Sequence, residues 1–373
     1  MKMEVPRCPY FGECGGCMYQ NIGYEKQLEN KKNKLAAAIK YADIKVSSDN
    51  PYHYRNRMDF LFHHGGLGFR VKHNWKKVID IKECIISNNN LNILLNEVRD
   101  KFKDCDTFDI FKQTGTFRYC VIRTPSNDSS ISFVLNEDSM KLSDAIEKIK
   151  SFDTTAKNVV VAYVPKKTDE STSSEFFVVK GSEFLTEEIL GKTFRYSIQG
   201  FFQNNSIMAA NMHSYVRELL LKYDTKKHHL LDLYGGVGTF GIINSDLFKD
   251  VTIIESFAGC IDAAKDNIKA NHVTNAKGIV LDAMNLKKLD FPKDLFVITD
   301  PPRSGMHPKT IEQLNKLNPE VIIYVSCNVE QLGKDLPKFK NHTIKSAALF
   351  DLFPQTPHSE AVVELVRTLQ DNQ

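Results

Sequence analysis

The spacing of apolar positions along this chain changes near residue 200. Before that point polar and apolar residues mostly alternate, which predicts β-strands, and a stretch of helical spacing at 24–39 precedes them. Beyond it, segments of helical spacing alternate with short apolar runs at 229–233, 251–254, 277–281, 295–299 and 321–325. This alternation predicts a doubly wound, mostly parallel sheet with helices on both faces. We therefore predict an α/β protein in which a β-rich α+β domain at 1–195 precedes a Rossmann-like domain at 196–373.

The overall composition is that of a globular protein. A chain of 373 residues is too long for one ordinary hydrophobic core, so we expect more than one domain. Of its residues, 42% are hydrophobic and 25% are charged. The formal net charge is only +3, so contact with nucleic acid must come from a local patch. Without a signal-peptide pattern or an apolar run of membrane-spanning length, we expect a cytoplasmic protein with no membrane contact and no obligate protein partner. Its eight cysteines are then thiols or metal ligands rather than disulfides.

A glycine-rich turn follows the first strand of the second half. The segment DLYGGVGTF, starting at Asp232, runs from a strand through Gly236 and Gly238 into a helix. Glycine lets the backbone approach a ligand, although tight strand-to-helix turns also use glycine for steric reasons alone. The next strand ends in Glu255, where a carboxylate can accept hydrogen bonds from both ribose hydroxyls of an adenosine. Because the turn departs from G-x-G-x-x-G, it favours a small nucleoside cofactor over a dinucleotide.

Titratable side chains follow the later strands. Asp282 closes the third strand, where it is either a contact for an adenine edge or an ordinary helix N-cap. Asp300 opens the rigid segment Asp-Pro-Pro-Arg, and Cys327 follows the apolar run VIIYVS. A thiol at that position is either a small core residue or a nucleophile at the mouth of the sheet. Nearer the chain end, Glu360 or His358 could accept a proton, unless Glu360 is a solvated loop carboxylate.

A thiol, a carboxylate and a nucleoside cofactor together suit one reaction. Carbon 5 of a pyrimidine is too weak a nucleophile to attack an alkyl donor, but addition of a thiolate at carbon 6 produces a reactive enolate. A base must then remove the proton from carbon 5 so that the thiol can be eliminated. Cys327 and Glu360 are the candidates for these two tasks.

These motifs resemble those of the RNA uracil-5 methyltransferases, a family that uses S-adenosylmethionine and carries an iron–sulfur cluster. The matching segments span essentially the whole C-terminal half: FFQNN at 201–205, DLYGGVGTF at 232–240, Glu255, DPPRSG at 300–305, YVSCN at 324–328 and FPQTPHSE at 353–360. Two positions depart from the common pattern, Gly235 in place of a frequent cysteine and Val329 in place of proline. Neither departure removes a reacting group.

The resemblance implies a fold and a set of roles. It implies a class I methyltransferase domain at 196–373, with Cys327 as the nucleophile and Glu360 as the base that removes the proton from carbon 5. It also implies contact with the methyl donor or its immediate surroundings for Gln203, Tyr234, Glu255 and Asp300.

Three cysteines crowd the start of the chain and a fourth lies far downstream. Cys8, Cys14 and Cys17 are spaced C-x5-C-x2-C, and Cys84 can complete a site of four thiolates. The spacing leaves structural zinc and a 4Fe-4S cluster equally open, whereas the resemblance implies that all four are cluster ligands. Four protein ligands leave no iron open, so we expect a structural cluster. Because the first of these cysteines is already at position 8, the chain resembles the compact form of the family, without an N-terminal TRAM-type barrel.

A basic and aromatic stretch in the first half suits RNA. Between residues 52 and 78 lie the basic Arg55, Arg57, Arg70, Lys72, Lys76 and Lys77 and the aromatic Tyr52, Tyr54, Phe69 and Trp75. Single-stranded RNA is held by basic groups and by rings that stack on unpaired bases. A solvated β-surface above core aromatics would have the same composition.

The sequence therefore predicts an enzyme that transfers a methyl group from S-adenosylmethionine to carbon 5 of a uridine in structured RNA. Resemblance to the compact members favours a 23S rRNA loop as substrate, with the T-loop of a transfer RNA as the alternative. Two other functions compete: a non-catalytic iron–sulfur RNA-binding protein, and an amino-group methyltransferase, which the Asp-Pro-Pro loop suggests. Neither of these needs the Cys327 thiol.

Overall fold

The computed structural model describes residues 4–368. Its α-helices are α1 (Tyr24–Ile39), α2 (Asn89–Phe102), α3 (Leu142–Lys150), α4 (Ser206–Leu220), α5 (Thr239–Ile243), α6 (Ala258–Ala270), α7 (Pro308–Leu317) and α8 (Val329–Asp335). Its strands are β1 (Ile44–Ser47), β2 (Arg57–His63), β3 (Gly66–Val71), β4 (Asn74–Asp80), β5 (Phe117–Arg123), β6 (Ser130–Asn136), β7 (Asn158–Val164), β8 (Phe176–Lys180), β9 (Phe184–Ile189), β10 (Lys192–Ser197), β11 (His229–Leu233), β12 (Asp250–Glu255), β13 (Ala276–Val280), β14 (Leu295–Thr299), β15 (Val321–Ser326), β16 (His342–Phe350) and β17 (Glu360–Arg367). No helix in residues 4–368 has the length and apolar character needed to cross a membrane.

The chain forms two compact units that alternate along the sequence. Within the described residues, unit 1 comprises 4–24, 50–187 and 196–206, and unit 2 comprises 25–49, 188–195 and 207–368. The predicted division between 195 and 196 differs from this one in three segments. Most of α1 and all of β1 belong to unit 2, as does 188–195, whereas 196–206 belongs to unit 1.

Unit 1 contains a mixed sheet with the strand order β4-β3-β2-β5-β6-β7-β8. Neighbouring strands are antiparallel except β6 and β7, which run in parallel. Phenylalanines dominate its core: the ring centroids of Phe102 and Phe133 are 4.7 Å apart and those of Phe62 and Phe117 are 5.1 Å apart. Such tilted aromatic pairs stabilise a core beyond their buried area. The β-rich character predicted for the first half is confirmed.

Unit 2 contains a sheet with the strand order β1-β16-β17-β15-β14-β11-β12-β13. Strands β11 to β15 are parallel to their neighbours among themselves, and β17 is antiparallel to both β15 and β16. From the boundary between β11 and β14, later strands are added on both sides: β12 and β13 on one side, and β15, β17 and β16 on the other. The strand order therefore reverses at this boundary. Ligands of open α/β sheets bind in the crevice at such a reversal, outside the carboxyl ends of the strands. The predicted doubly wound, mostly parallel sheet is confirmed.

Candidate active site

Three predicted site residues of unit 2 lie at the carboxyl edge of the parallel strands. Tyr234 directly follows β11, Asp300 directly follows β14 and Cys327 directly follows β15. Because these three strands are adjacent and parallel, their ends meet at the crevice where the strand order reverses.

Glu360 reaches the same edge from the opposite direction. It is the first residue of β17, and the next residue, Ala361, pairs with Ser326 of antiparallel β15. The pairing of the two strands ends there, so Glu360 and Cys327 lie at the same end of the strand pair, and the charge of Glu360 helps to raise the pKa of the Cys327 thiol. Glu360 is only 4% exposed, whereas His358, the other proton acceptor considered, is exposed. The fold therefore places the predicted base next to the predicted nucleophile.

Three carboxyl groups share this edge, those of Asp232 and Glu360, which are buried, and that of Asp300, which is partly exposed. Burial raises the pKa of Asp232 to about 7, although a hydrogen bond from the Gly241 N–H acts to lower it. The charges of Asp300 and Glu255 add to the rise. Burial also raises the pKa of Asp300 to about 7. Burial and then the charge of Asp300 raise the pKa of Glu360 well above its usual range. Negative charge concentrated in this way favours a cation in the crevice.

The Cys327 thiol lies in the same field. Burial, followed by the charges of Glu360 and Asp300, raises its pKa to about 11, and Arg303 acts in the opposite direction. The loops that carry Cys327 and Arg303 are joined, since Nδ2 of Asn328 donates to the Arg303 carbonyl at 3.0 Å. The resting thiol is thus protonated at neutral pH. Because only the thiolate is nucleophilic, attack requires that its proton leave first.

The glycine-rich turn has a conformation that few other residues adopt. Gly236 and Gly238 have φ angles of 53° and 90°, and Tyr234 also has a positive φ, 58°. A Cβ atom on Gly236 would meet nothing within 4 Å, whereas one on Gly235 would lie 2.6 Å from Cγ2 of Ile253. The backbone is therefore open at Gly236, and Ile253 occupies the space that a larger residue would need at 235.

The carboxylates at the next two strand ends are each fixed by backbone N–H groups. Oε1 of Glu255 accepts hydrogen bonds from Ser256 at 2.6 Å and from Phe257 at 3.0 Å. Oδ1 of Asp282 accepts from Met284 at 2.8 Å, which is the N-cap arrangement considered for it. Each carboxylate has a second oxygen, so the ribose contact of Glu255 and the adenine contact of Asp282 stay predictions.

Gln203, unlike the other predicted contacts of the methyl donor, belongs to unit 1. Asn56 holds this segment, because its N–H donates to the Asn204 carbonyl at 2.9 Å and its Nδ2 donates to the Gln203 carbonyl at 3.3 Å. The rings of Tyr196 and Phe202 stack with centroids 4.2 Å apart. The backbone at Gln203 is thus fixed within unit 1, and its role at the methyl donor stays a prediction.

One buried carboxylate that the motifs did not reveal ties the two reacting loops together. Asp335 is fully buried and accepts hydrogen bonds from the Tyr324 hydroxyl at 2.9 Å and from the Met306 N–H at 3.0 Å. Tyr324 precedes Cys327 on β15, and Met306 ends the loop that Asp300 begins. No local sequence signal marks this role of Asp335, because Tyr324 and Met306 are 11 and 29 residues away along the chain.

A buried ion pair fastens the loop before Glu360. Nζ of Lys31, on α1, donates to Oδ1 of Asp351 at 2.6 Å and to the Phe353 carbonyl at 3.1 Å. The Lys31 and Asp351 side chains are 3% and 0% exposed. A buried pair of this kind is costly to break, since it leaves an uncompensated charge. It explains why α1 packs with unit 2 despite its early place in the sequence.

The four predicted ligand cysteines line one cavity of unit 1. The cavity has a volume of about 480 Å³. Burial raises the pKa of Cys14 to about 11 and that of Cys17 to about 12, and the charge of Cys84 adds to both. All four cysteines lie in the described part of the chain, and no three of their sulfur atoms lie within 4.8 Å of one another. Around a tetrahedral zinc ion, with Zn–S distances of about 2.3 Å, they would be about 3.8 Å apart.

The predicted RNA-contact rings divide between core and surface. Tyr54 is 8% exposed, and Phe69 stacks on Phe60 with centroids 4.8 Å apart. For Tyr54 the interpretation as a base-stacking group is wrong, because its ring is buried in the core. Phe69 is partly buried, and its role in RNA contact stays a prediction. Trp75, in contrast, is 54% exposed.

The sheet order, the open glycine turn and the acidic crevice define a methyltransferase of the class I fold. The family model described as tRNA (Uracil-5-)-methyltransferase matches residues 23–368. The chain therefore belongs to this family, and it is an RNA uracil-5 methyltransferase that uses S-adenosylmethionine.

Similar proteins cover nearly the whole chain. An uncharacterised RNA methyltransferase of Caldanaerobacter subterraneus is 34% identical over 385 residues, 97% of this chain and 84% of that protein. A tRNA (uracil(54)-C(5))-methyltransferase of Pyrococcus horikoshii is 33% identical over 362 residues, 96% of this chain and 85% of that protein. The crystal structure of Pyrococcus abyssi tRNA (uracil-54, C5)-methyltransferase with S-adenosyl-L-homocysteine is 29% identical, with a TM-score of 0.80 over 95% of this chain and 86% of that one.

The acidic crevice predicts a pH-dependent preference for the methyl donor over its demethylated product. The donor carries a sulfonium cation, whereas S-adenosylhomocysteine carries a neutral thioether in its place. Asp232 and Asp300 ionise as the pH rises through about 7, so the cation gains affinity relative to the thioether. We expect the affinity ratio, measured by calorimetry, to rise about tenfold between pH ~6 and ~8, which corresponds to about 1.4 kcal/mol of added attraction. Asp300→Asn should flatten this rise, and a ratio that does not change with pH in the native protein would contradict the account.

Proposed function

We propose that this enzyme methylates carbon 5 of a uridine in a transfer RNA loop. The observation that carries the proposal is the half-buried Cys327 thiol near the buried carboxyl group of Glu360 at the crevice, because methylation at carbon 5 needs a thiol and a base, and amino-group methylation needs no thiol. Relatives that align with nearly the whole chain are named as tRNA uracil-54 methyltransferases, which favours transfer RNA over the 23S rRNA placed first on sequence grounds.

Cys327 and Glu360 each carry out one part of the reaction, the thiol as nucleophile and the carboxylate as base. The Cys327 thiol first loses its proton to solvent. Its thiolate then adds to carbon 6 of the uracil, and the electron pair of the 5,6 double bond moves into an enolate. Carbon 5 then bonds to the methyl group as the bond between that methyl and the donor sulfur breaks. Glu360 takes the remaining proton from carbon 5, and the carbon–sulfur bond to Cys327 breaks to restore the double bond. A carboxylate whose pKa is raised, as that of Glu360 is, is a stronger base once ionised.

Methylation of defined transcripts tests this proposal. Unmodified transfer RNA and 23S rRNA transcripts are incubated with methyl-labelled S-adenosylmethionine, and the nucleosides are separated and identified by mass spectrometry. We expect labelled 5-methyluridine at one position of the transfer RNA. Label found only in the rRNA would contradict the assignment of transfer RNA as substrate. Label on an amino group would overturn the proposed chemistry.

We also propose that the cysteine cavity of unit 1 holds a 4Fe-4S cluster on Cys8, Cys14, Cys17 and Cys84. Support comes from the convergence of all four thiols on one cavity of about 480 Å³, because four thiolates are the usual ligand set of such a cluster. The Gly16 N–H donates to Sγ of Cys14 at 3.4 Å, and hydrogen bonds to ligand sulfur are usual around such clusters. The cluster would supply a structural tie between the N-terminal segment and the loop that carries Cys84.

Removing one ligand should release the metal and destabilise unit 1. In Cys14→Ala protein purified without oxygen, we expect loss of bound iron and sulfide and a fall of roughly 4 kcal/mol or more in the free energy of unfolding, the range typical of a lost metal site. Cys105→Ala is the matched control, because Cys105 does not line the cavity. Native protein that contains stoichiometric zinc without iron, or a Cys14→Ala variant that keeps its iron, would contradict the assignment.

A further inference from the structure

Unit 1 has a second groove, which includes Arg70 and Lys76 of the basic and aromatic stretch. It has a volume of about 410 Å³ and is lined by residues of β2 to β5, the loop before β5 and Asp169. Phe111 lines this groove and is 61% exposed. The ring of Trp75 lies beside it, with centroids 6.2 Å apart and planes inclined by 30°. Two large rings left exposed side by side mark a binding surface, since isolated exposed apolar residues need no such explanation.

Phe111 lies in a turn that hydrogen bonds of Asp109 hold in place. Oδ1 of Asp109 accepts hydrogen bonds from the backbone N–H of Phe111 at 2.8 Å and of Lys112 at 3.1 Å, and these bonds hold the pKa of Asp109 below its usual value. The Asp109 N–H in turn donates to the Thr114 carbonyl at 2.8 Å. Because the backbone is already fixed, little conformational freedom is lost when a ligand stacks on the ring.

Cations surround the two rings. Nζ of Lys76, an exposed residue, lies 5.8 Å from the ring centroid of Trp75 and 5.4 Å from that of Phe111. The Arg70 guanidinium lies 6.0 Å from the Trp75 ring centroid. It forms an ion pair with Asp169, with 2.8 Å between Nη2 of Arg70 and Oδ1 of Asp169. Flat rings with an exposed lysine beside them suit a planar base that is joined to a phosphate.

We propose that this groove, the Trp75–Phe111 groove, binds an unpaired nucleotide of the substrate RNA other than the uridine that is methylated. Its base stacks on the two rings and its phosphate lies near Lys76. Single-stranded RNA is held by this combination of stacking and charge without sequence preference. Cys327 does not line the groove, so the nucleotide bound there is not the one that reacts. The inference rests on RNA as the substrate and deepens the proposed function.

The chain offers a direct probe, because Trp75 is its one tryptophan. Stacking of a base on this ring should quench the intrinsic fluorescence of the full-length protein. A short single-stranded oligoadenylate is the probe, since it contains no uridine and cannot undergo the methylation. We expect saturable quenching by the single strand and little by an RNA duplex of equal length, whose bases are already stacked.

Matched variants separate stacking from charge. Phe111→Ala and Trp75→Ala should each weaken oligoadenylate binding about tenfold, as measured by fluorescence anisotropy of a labelled oligonucleotide. Lys76→Gln should weaken it and reduce the slope of log affinity against log salt by about 0.7, the value for one phosphate contact on a single strand. Met140→Ala, which removes another exposed apolar side chain of unit 1, should bind as the native protein does. Equal melting temperatures would show that all variants are folded.

Several results would overturn the groove assignment. They are binding of oligoadenylate without quenching, equal binding by Phe111→Ala, equal quenching by the duplex, or self-association of the native protein that Phe111→Ala abolishes. Failure of the proposed function would look different, because oligoadenylate would still quench Trp75 while uridine-containing RNA gained no methyl group.

Discussion

Replacing Cys327 by alanine is expected to lower methyl transfer to RNA by at least about 10⁴-fold, the scale on which enzymes lose activity when a covalent nucleophile is removed. The physical reason is that carbon 5 becomes nucleophilic only after a thiolate has added to carbon 6. Initial rates of methyl transfer to a single RNA measure the effect, and binding of S-adenosylhomocysteine should stay close to that of the native protein.

Cys260→Ala is the control for this substitution, since Cys260 is the other cysteine of unit 2 and is also half-buried. It should retain methylation within a few-fold of the native rate. A Cys327→Ala protein that methylates RNA at a comparable rate would show that the reaction does not pass through this thiol.

Replacing Glu360 by glutamine is expected to stop the reaction after methyl transfer. Glutamine keeps the size of the side chain but cannot take the proton from carbon 5, so the methylated RNA stays bonded to Cys327. We expect the rate of product release to fall by about 10²–10⁴-fold, the usual contribution of a general base. A protein–RNA complex that survives denaturation and carries the transferred methyl group should accumulate.

His358→Gln tests the other proton acceptor that the sequence offered. Because His358 is exposed and Glu360 is buried beside Cys327, we expect no covalent complex to accumulate in this variant. If Glu360→Gln released product at the native rate, or if His358→Gln trapped the complex instead, the assignment of the base would be wrong.

Local sequence pattern predicted the elements of this fold accurately where each strand is buried on both faces. The predicted runs at 229–233 and 295–299 coincide with β11 and β14, and the predicted helix at 24–39 coincides with α1. A buried parallel strand reads as a continuous apolar run bounded by polar residues, so its limits are visible in the chain itself. The order of these strands also placed Cys327 and Asp300 at one edge.

What the pattern could not show depends on contacts between distant segments. Strand β1 pairs with β16, and Lys31 is neutralised by Asp351, about three hundred residues further on in both cases. These contacts place most of α1 and all of β1 in unit 2. Asp335 and Phe111 were missed for the same reason, since their environment is set by residues that no local motif brings together.

The central claim is that Cys327 forms a covalent bond to carbon 6 of the uracil that is methylated. The most direct measurement uses substrate RNA in which uridine is replaced by 5-fluorouridine. Fluorine at carbon 5 cannot be removed as a proton, so the enzyme should stay bonded to the RNA after methyl transfer. Mass spectrometry of the digested complex should then find the RNA fragment, with its added methyl group, on the peptide that contains Cys327. Methylated RNA with no protein adduct, or an adduct on another residue, would contradict the account.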